Sequence, residues 1–201
     1  MSHHKKDETT LYEVFEHGLS KNYSIYLNQE IESPENYTQL LNLLRCASSY
    51  DIVNIYINSP GGNLSAGLQI ITAMKESLAL VRTFLDGMAM SLAPLILFAG
   101  DEVYINDNTM IMFHDFSTGS GGKGGELLSA AEAYTKFYKD LLISYAYPFL
   151  SMEEIDNITK GQDVYFNSKE IILRLNQMKK QLDKNGTPAK KRQTRKKKVD
   201  G

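Results

Sequence analysis

A chain of 201 residues with 42% hydrophobic side chains is long enough for one full-sized core and too apolar for a disordered polymer. No apolar run approaches the roughly 20 residues that cross a bilayer, and the opening MSHHKKDETT is too polar for a secretory leader, so the expectation is a cytoplasmic protein without a membrane partner. The lone Cys46 permits no internal disulfide, and no Cys, His and carboxylate cluster has metal-ligand spacing, so neither a metal nor a cofactor is expected.

The net charge of −2 hides a split. Lys179 to Gly201 carries ten Lys or Arg against two Asp, whereas residues 1–178 carry 12 basic and 22 acidic groups. An acidic globule with a basic tail follows. That tail reads as a solvated, disordered extension, with docking on nucleic acid or on an acidic partner as the sharper alternative.

Along the chain, SIYL (24–27) reads as a short strand. Ser33, Pro34 and Glu35 mark a helix start, with Tyr37, Leu40, Leu41 and Leu44 at helical spacing. DIVNIYIN (51–58) reads as a buried strand, SPGG as a break, 64–78 as a helix and LVRTFL (80–85) as another strand. LAPLILFAG then reads as a buried helix ended by Gly100, followed by strands EVYIN and MIMFH. STGSGGKGG (117–125) holds five glycines and reads as mobile. The helix expected over 126–147 lines Leu127, Ala131, Tyr134, Tyr138, Leu141 and Tyr145 along one face, and Pro148 ends it. A shorter helix over 152–160, an extended QDVYF and a last helix over 168–182 complete the pattern. Strand and helix alternate as in a parallel α/β fold, whose reactive groups gather after the strands' carboxyl ends.

Two such loops carry chemistry. In DGMAMSLAP, Ser91 follows a strand and precedes an apolar helix, with Gly87 available for an unusual turn. It is either a helix cap or a nucleophile. A nucleophilic serine needs a base, an orienter for that base and amide donors for the oxyanion. Of the four histidines, His3 and His4 lie in the polar start and His17 in LYEVFEHGL, whereas His114 ends the MIMFH strand beside the glycine-rich loop. Asp163, before VYF, is the candidate orienter, with Asp115 as rival. Asp115 directly follows His114, and neighbouring strand residues face opposite ways. NSPGG (58–62) can aim backbone N–H groups at a ligand. Each of these residues has an ordinary structural reading when taken alone.

Together, INSPGGNLSAGLQIITAM, DGMAMS, MIMFHDFSTGSGG and DVYFNSKE resemble the proteolytic subunit of the Clp protease, ClpP, from about Ser24 to Glu170. The resemblance implies an α/β, ClpP/crotonase-like fold of repeated β-β-α units with a protruding handle helix. It implies Ser91 as nucleophile, His114 as general base and then acid, and Asp163 as orienter. Gly62 and Leu92 would supply the oxyanion-hole amides, with Gly61 and Met90 beside the substrate. It further implies a serine endopeptidase acting on peptides or unfolded protein inside a homo-oligomeric chamber of heptameric rings, single or stacked in pairs. A separate ring ATPase would then be the only user of ATP. Residues 1–22 would be an N-terminal segment, 23–182 the peptidase domain and 183–201 the tail.

The chain departs from the family pattern at Met90, Leu92, Ala93 and Phe116, at Gly161–Gln162 before Asp163, and in the helix-like IILRLNQMKKQ after SKE. Those departures keep open a catalytically weak or inactive assembly protein on the same fold. A crotonase-type enzyme acting on acyl-CoA shares the architecture but has no need of a serine–histidine pair.

Overall fold

Among the described residues, strands that are mostly aliphatic and β-branched build a seven-stranded sheet in the order β1-β2-β3-β4-β6-β7, with β5 branching from β4. The computed structural model of the chain describes residues 12–17, 20–117, 119 and 121–184. The strands are β1 (Tyr12–His17), β2 (Ser20–Leu27), β3 (Ile52–Ser59), β4 (Leu80–Met90), β5 (Glu102–Ile105), β6 (Met110–Phe113) and β7 (Val164–Asn167). The helices are α1 (Thr38–Cys46, entered through a 3-10 turn at Pro34–Tyr37), α2 (Leu64–Glu76), α3 (Ala93–Phe98), α4 (Gly124–Ala146), α5 (Met152–Ile158) and α6 (Ser168–Lys184). The pairs β2–β3, β3–β4, β4–β5 and β4–β6 are parallel, as the alternation of strand and helix predicts; the edge strands β1 and β7 pair antiparallel. Strand β1 lies in what the sequence suggests is only an N-terminal segment, because YEVFEH lacks the apolar run that marks the inner strands. The basic tail beyond Lys184 lies outside the described residues. Among those residues, no helix is long and apolar enough to cross a membrane.

The alternation within each strand sorts side chains onto two faces. Ile25, Ile55, Ile57, Val81 and Leu85 are buried with α1, α2 and α3 in one cluster. On the opposite face, register aligns Tyr26, Tyr56, Phe84 and Tyr104 across four strands, stacked at 5.0, 4.8 and 4.7 Å between ring centroids. So DIVNIYIN is apolar and buried on one face and presents Asn54, Tyr56 and Asn58 on the other, rather than being buried throughout.

Strand β4 runs five residues beyond the Leu85 end expected from sequence. It pairs with β5 over Arg82–Leu85 and with β6 over Met88–Met90. Between these stretches Ile57 faces Leu85 but Ser59 faces Ala89, a bulge that bends the strand toward its new partner. Asn58 spans the bulge, its Oδ1 accepting from the Met88 N–H at 3.1 Å. Gly87 is therefore an extended residue closely packed on Asn58, not the unusual turn.

Only the second half of α4 joins the core, through Tyr138, Leu141, Leu142 and Ala146. On the stripe read from sequence, Leu127 is half-buried, Ala131 is exposed and Tyr134 is 48% exposed, so that stripe outruns the core.

Helix α6 is locked by Arg174. Its guanidinium donates to Glu154 Oε1 and Oε2 at 2.7 and 2.9 Å and to the Phe149 carbonyl at 2.9 Å. It also lies 4.2 Å from the Phe166 ring centroid. Arg174→Ala is expected to lower the unfolding free energy by about 2–3 kcal/mol in denaturant titrations, since a charge-assisted fork and a cation–π contact go together. The Arg174 hydrogen bond is the main reason the Glu154 carboxyl sits below its ordinary value of 4.5. A lowered carboxyl contributes stability above the ordinary value and loses it as pH falls through the lowered one. The gap in melting temperature between wild type and Glu154→Gln should therefore narrow in acid.

Candidate active site

Ser91 is one of two described non-glycine residues with positive φ, at 60°. Such a conformation costs on the order of 1–3 kcal/mol and persists only where surroundings impose it. Here β4 imposes it. The Ser91 N–H donates to the Met112 carbonyl at 2.9 Å, adding one bond to the β4–β6 ladder, while the chain turns sharply into α3. The residue at the α3 N-cap position is Leu92, and no side chain caps that helix. The capping alternative for Ser91 therefore falls away, and Ser91 itself, not Gly87, takes the unusual backbone angle.

The SPGG loop lies directly against this turn. Gly61 and Gly62 have φ of +92° and +138°. A Cβ on Gly61 would stand 2.6 Å from the Met90 carbonyl oxygen, 2.7 Å from Ser91 Cβ and 3.1 Å from the Leu92 nitrogen. The loop is held from behind. Ile31 donates to the Gly61 carbonyl and accepts from the Asn63 N–H, both at 2.7 Å. The Ser59 hydroxyl donates to the Gln29 carbonyl at 2.7 Å and accepts from the Gly61 N–H at 3.2 Å. Asn63 then caps α2 through the Ala66 N–H at 3.0 Å. Among the described residues the N–H groups of Gly62 and Leu92 make no hydrogen bond; Leu92 directly follows Ser91, and Gly62 directly follows the Gly61 that packs on it.

Register brings the other two candidates to the same end of the sheet. Met90 pairs with Met112, so Ser91 lies level with Phe113, one residue before His114. Phe113 pairs with Val164, which puts His114 and Asp163 opposite one another one step past the β6–β7 ladder. His114 is half-buried and Asp163 exposed. No hydrogen bond or ion pair joins the three side chains within this single chain. The rival Asp115 accepts from its neighbour's N–H, Phe116, at 2.9 Å. His17 is on β1, three strands from β4, and His3 and His4 lie outside the described residues. Met90 is half-buried at the end of β4. Among the described residues, no three His, Cys, Asp or Glu converge as metal ligands do.

Several supports escape a linear reading. Ile31 and Gln29 brace the SPGG loop from a segment with no motif of its own. Tyr138, from α4, donates to the His114 carbonyl at 2.8 Å. Burial, with a smaller contribution from the nearby Asp115 charge, pushes the Tyr138 phenol well above its usual value, so it stays a neutral donor.

The chain matches the Clp protease family over residues 5–172. It is 34% identical over 115 residues to the ATP-dependent Clp protease proteolytic subunit 1 of Corynebacterium jeikeium, covering 55% of this chain and 59% of that relative. It is 30% identical over 160 residues to the ATP-dependent Clp protease proteolytic subunit of Deinococcus radiodurans, covering 78% of each. A third similarity, 39% over 127 residues, is to the subunit of the same name in Ligilactobacillus salivarius, covering 62% of this chain and 63% of that one. The chain thus spans less than two thirds of two of these three relatives.

Proposed function

The chain belongs to the Clp protease family, and we propose that it is a serine endopeptidase hydrolysing peptide bonds of peptides or unfolded proteins. The observation that carries this reading is the strained Ser91 turn pressed against Gly61, with the Gly62 and Leu92 N–H groups making no hydrogen bond among the described residues. In the proposed reaction Ser91 Oγ attacks the scissile carbonyl and passes its proton to the His114 imidazole, which Asp163 orients. The Gly62 and Leu92 N–H groups hold the oxyanion. The histidine then protonates the leaving amine, and water releases the acyl group from Ser91 with His114 as base. Gly61 and Met90 border the acyl-group side of the cleft. Neither a metal nor a cofactor enters this chemistry.

We further propose a ring-shaped homo-oligomer enclosing the sites, fed by a separate ring ATPase; the relatives' printed names, ATP-dependent proteolytic subunits, support that partnership. Because the three side chains are not linked within one chain, the test belongs on the assembled protein. A fluorophosphonate probe should label one residue, which peptide mapping places at Ser91, and the same preparation should cleave small fluorogenic peptides. An assembled protein that does neither would overturn the reading. It would instead favour an inactive assembly protein, a reading to which the unlinked side chains lend weight. The proposed acidic or nucleic-acid partner of the tail adds binding that weakens with salt.

A further inference from the structure

We infer that Tyr138 is a positioning residue for His114: the hydroxyl that α4 donates to the His114 carbonyl holds the backbone carrying the proposed base in line with Ser91. The inference rests on the peptidase reading above and adds a residue that none of the recognisable motifs contains.

The geometry isolates the contact. The β6–β7 ladder closes at Phe113, so the sheet no longer restrains the next residue. Among the described residues, the bond from Tyr138 at 2.8 Å is the one hydrogen bond made by any atom of His114. The donor is fixed in turn: Tyr138 is 5% exposed and opens the buried half of α4. The segment leaving His114 follows the same helix. The Phe116 ring packs on Tyr134 and Tyr138, with centroids 5.9 and 6.3 Å away. This aromatic clasp holds the segment to α4. On its other side β6 is tied to the nucleophile turn through the Met112 carbonyl and the Ser91 N–H at 2.9 Å. His114 thus sits between two anchors, one in the sheet and one from α4. Removing the second loosens the imidazole relative to Ser91, a smaller disturbance than the misplacement of about 1 Å that costs roughly a hundredfold in rate.

Tyr138→Phe keeps the ring and its contacts and deletes only the donor. In the assembled protein, kcat for a small fluorogenic peptide is expected to fall about tenfold, the effect of one lost hydrogen bond, with KM within about twofold. Fluorophosphonate labelling of Ser91 should slow in proportion. Tyr134→Phe, which removes a hydroxyl that makes no hydrogen bond among the described residues, should leave both rates unchanged. In a His114→Ala background, adding Tyr138→Phe should change the residual labelling rate no further, because the hydroxyl acts through the histidine. An unchanged kcat, or an equal loss with and without His114, overturns the inference. Should Tyr138→Phe fail to fold, fluorotyrosine at position 138 varies donor strength at nearly constant shape, and a kcat indifferent to it overturns the inference equally. A wild type that neither labels nor cleaves defeats the peptidase reading and this inference together. An active wild type with a fully active Tyr138→Phe defeats this inference alone.

Discussion

Ser91→Ala is expected to lower kcat for peptide hydrolysis on the order of 10⁶-fold and to abolish fluorophosphonate labelling. The estimate follows from how triads fail: without the nucleophile, only binding and oxyanion stabilisation remain. His114→Ala should cost nearly as much, and the double variant no more than either alone, since the groups act on one step. Asp163→Ala should cost less, about 10⁴-fold, because it removes the orienter and leaves the base. Stability should separate from activity. The Ser91 side chain makes no hydrogen bond among the described residues, and the fixed point of the turn is its backbone N–H on Met112. The alanine variant should therefore melt within a few degrees of wild type and assemble normally. Pre-steady-state cleavage and labelling, measured on matched oligomer, check both halves. Activity above about 1% of wild type in Ser91→Ala would end the claim that this hydroxyl is the nucleophile.

Gly61→Ala is the second large effect, and here geometry and activity fail together. At φ +92° an alanine is strained before any contact is considered. Its Cβ would sit 2.6 and 2.7 Å from the Met90 carbonyl oxygen and Ser91 Cβ, where no flexible side-chain end can yield. The loop must retreat or the Ser91 turn must open, and either shift separates the Gly62 and Leu92 amides. The loss of one oxyanion donor alone costs about 10²–10³ in kcat. We therefore expect at least a hundredfold fall in kcat, with about 1–3 kcal/mol lost in stability from the backbone strain. A fluorophosphonate labelling time course and a denaturant titration of the same sample test the two parts. Near-normal labelling would mean that the loop does not constrain the nucleophile.

Much of this molecule is legible in local pattern. Apolar β-branched runs and helical spacing place β2 to β7, the end of β4 apart, and the six α-helices of the described residues within a few residues, and the SPGG and DGMAMS motifs lead to the loop and turn found side by side. Where local reading strays, a long-range partner is the reason. Leu85 looks like a strand end because Asp86 and Gly87 are poor strand formers, yet β4 continues by exchanging β5 for β6. Ser91 resembles a cap because serines before helices usually are, yet the α3 N-cap position falls to Leu92. The α4 stripe from Leu127 to Tyr145 is a true helical face, but its spacing carries no information about where the core stops.

Residue identity and spacing along the chain were thus enough for the element order from β2 onward and the parallel α/β plan, and the motif resemblance added the family and the candidate trio of Ser91, His114 and Asp163. Only the folded chain decides that Ser91 adopts φ 60°, that Gly61 presses on it, that His114 and Asp163 come one step past the end of the β6–β7 ladder, and that Tyr138 reaches the histidine's carbonyl. The division has a physical cause. Turn chemistry and amphipathic period act between near neighbours and leave a mark in the sequence, whereas the β4–β6 register, the Gly61 contact and the Tyr138 hydrogen bond join residues far apart in the chain.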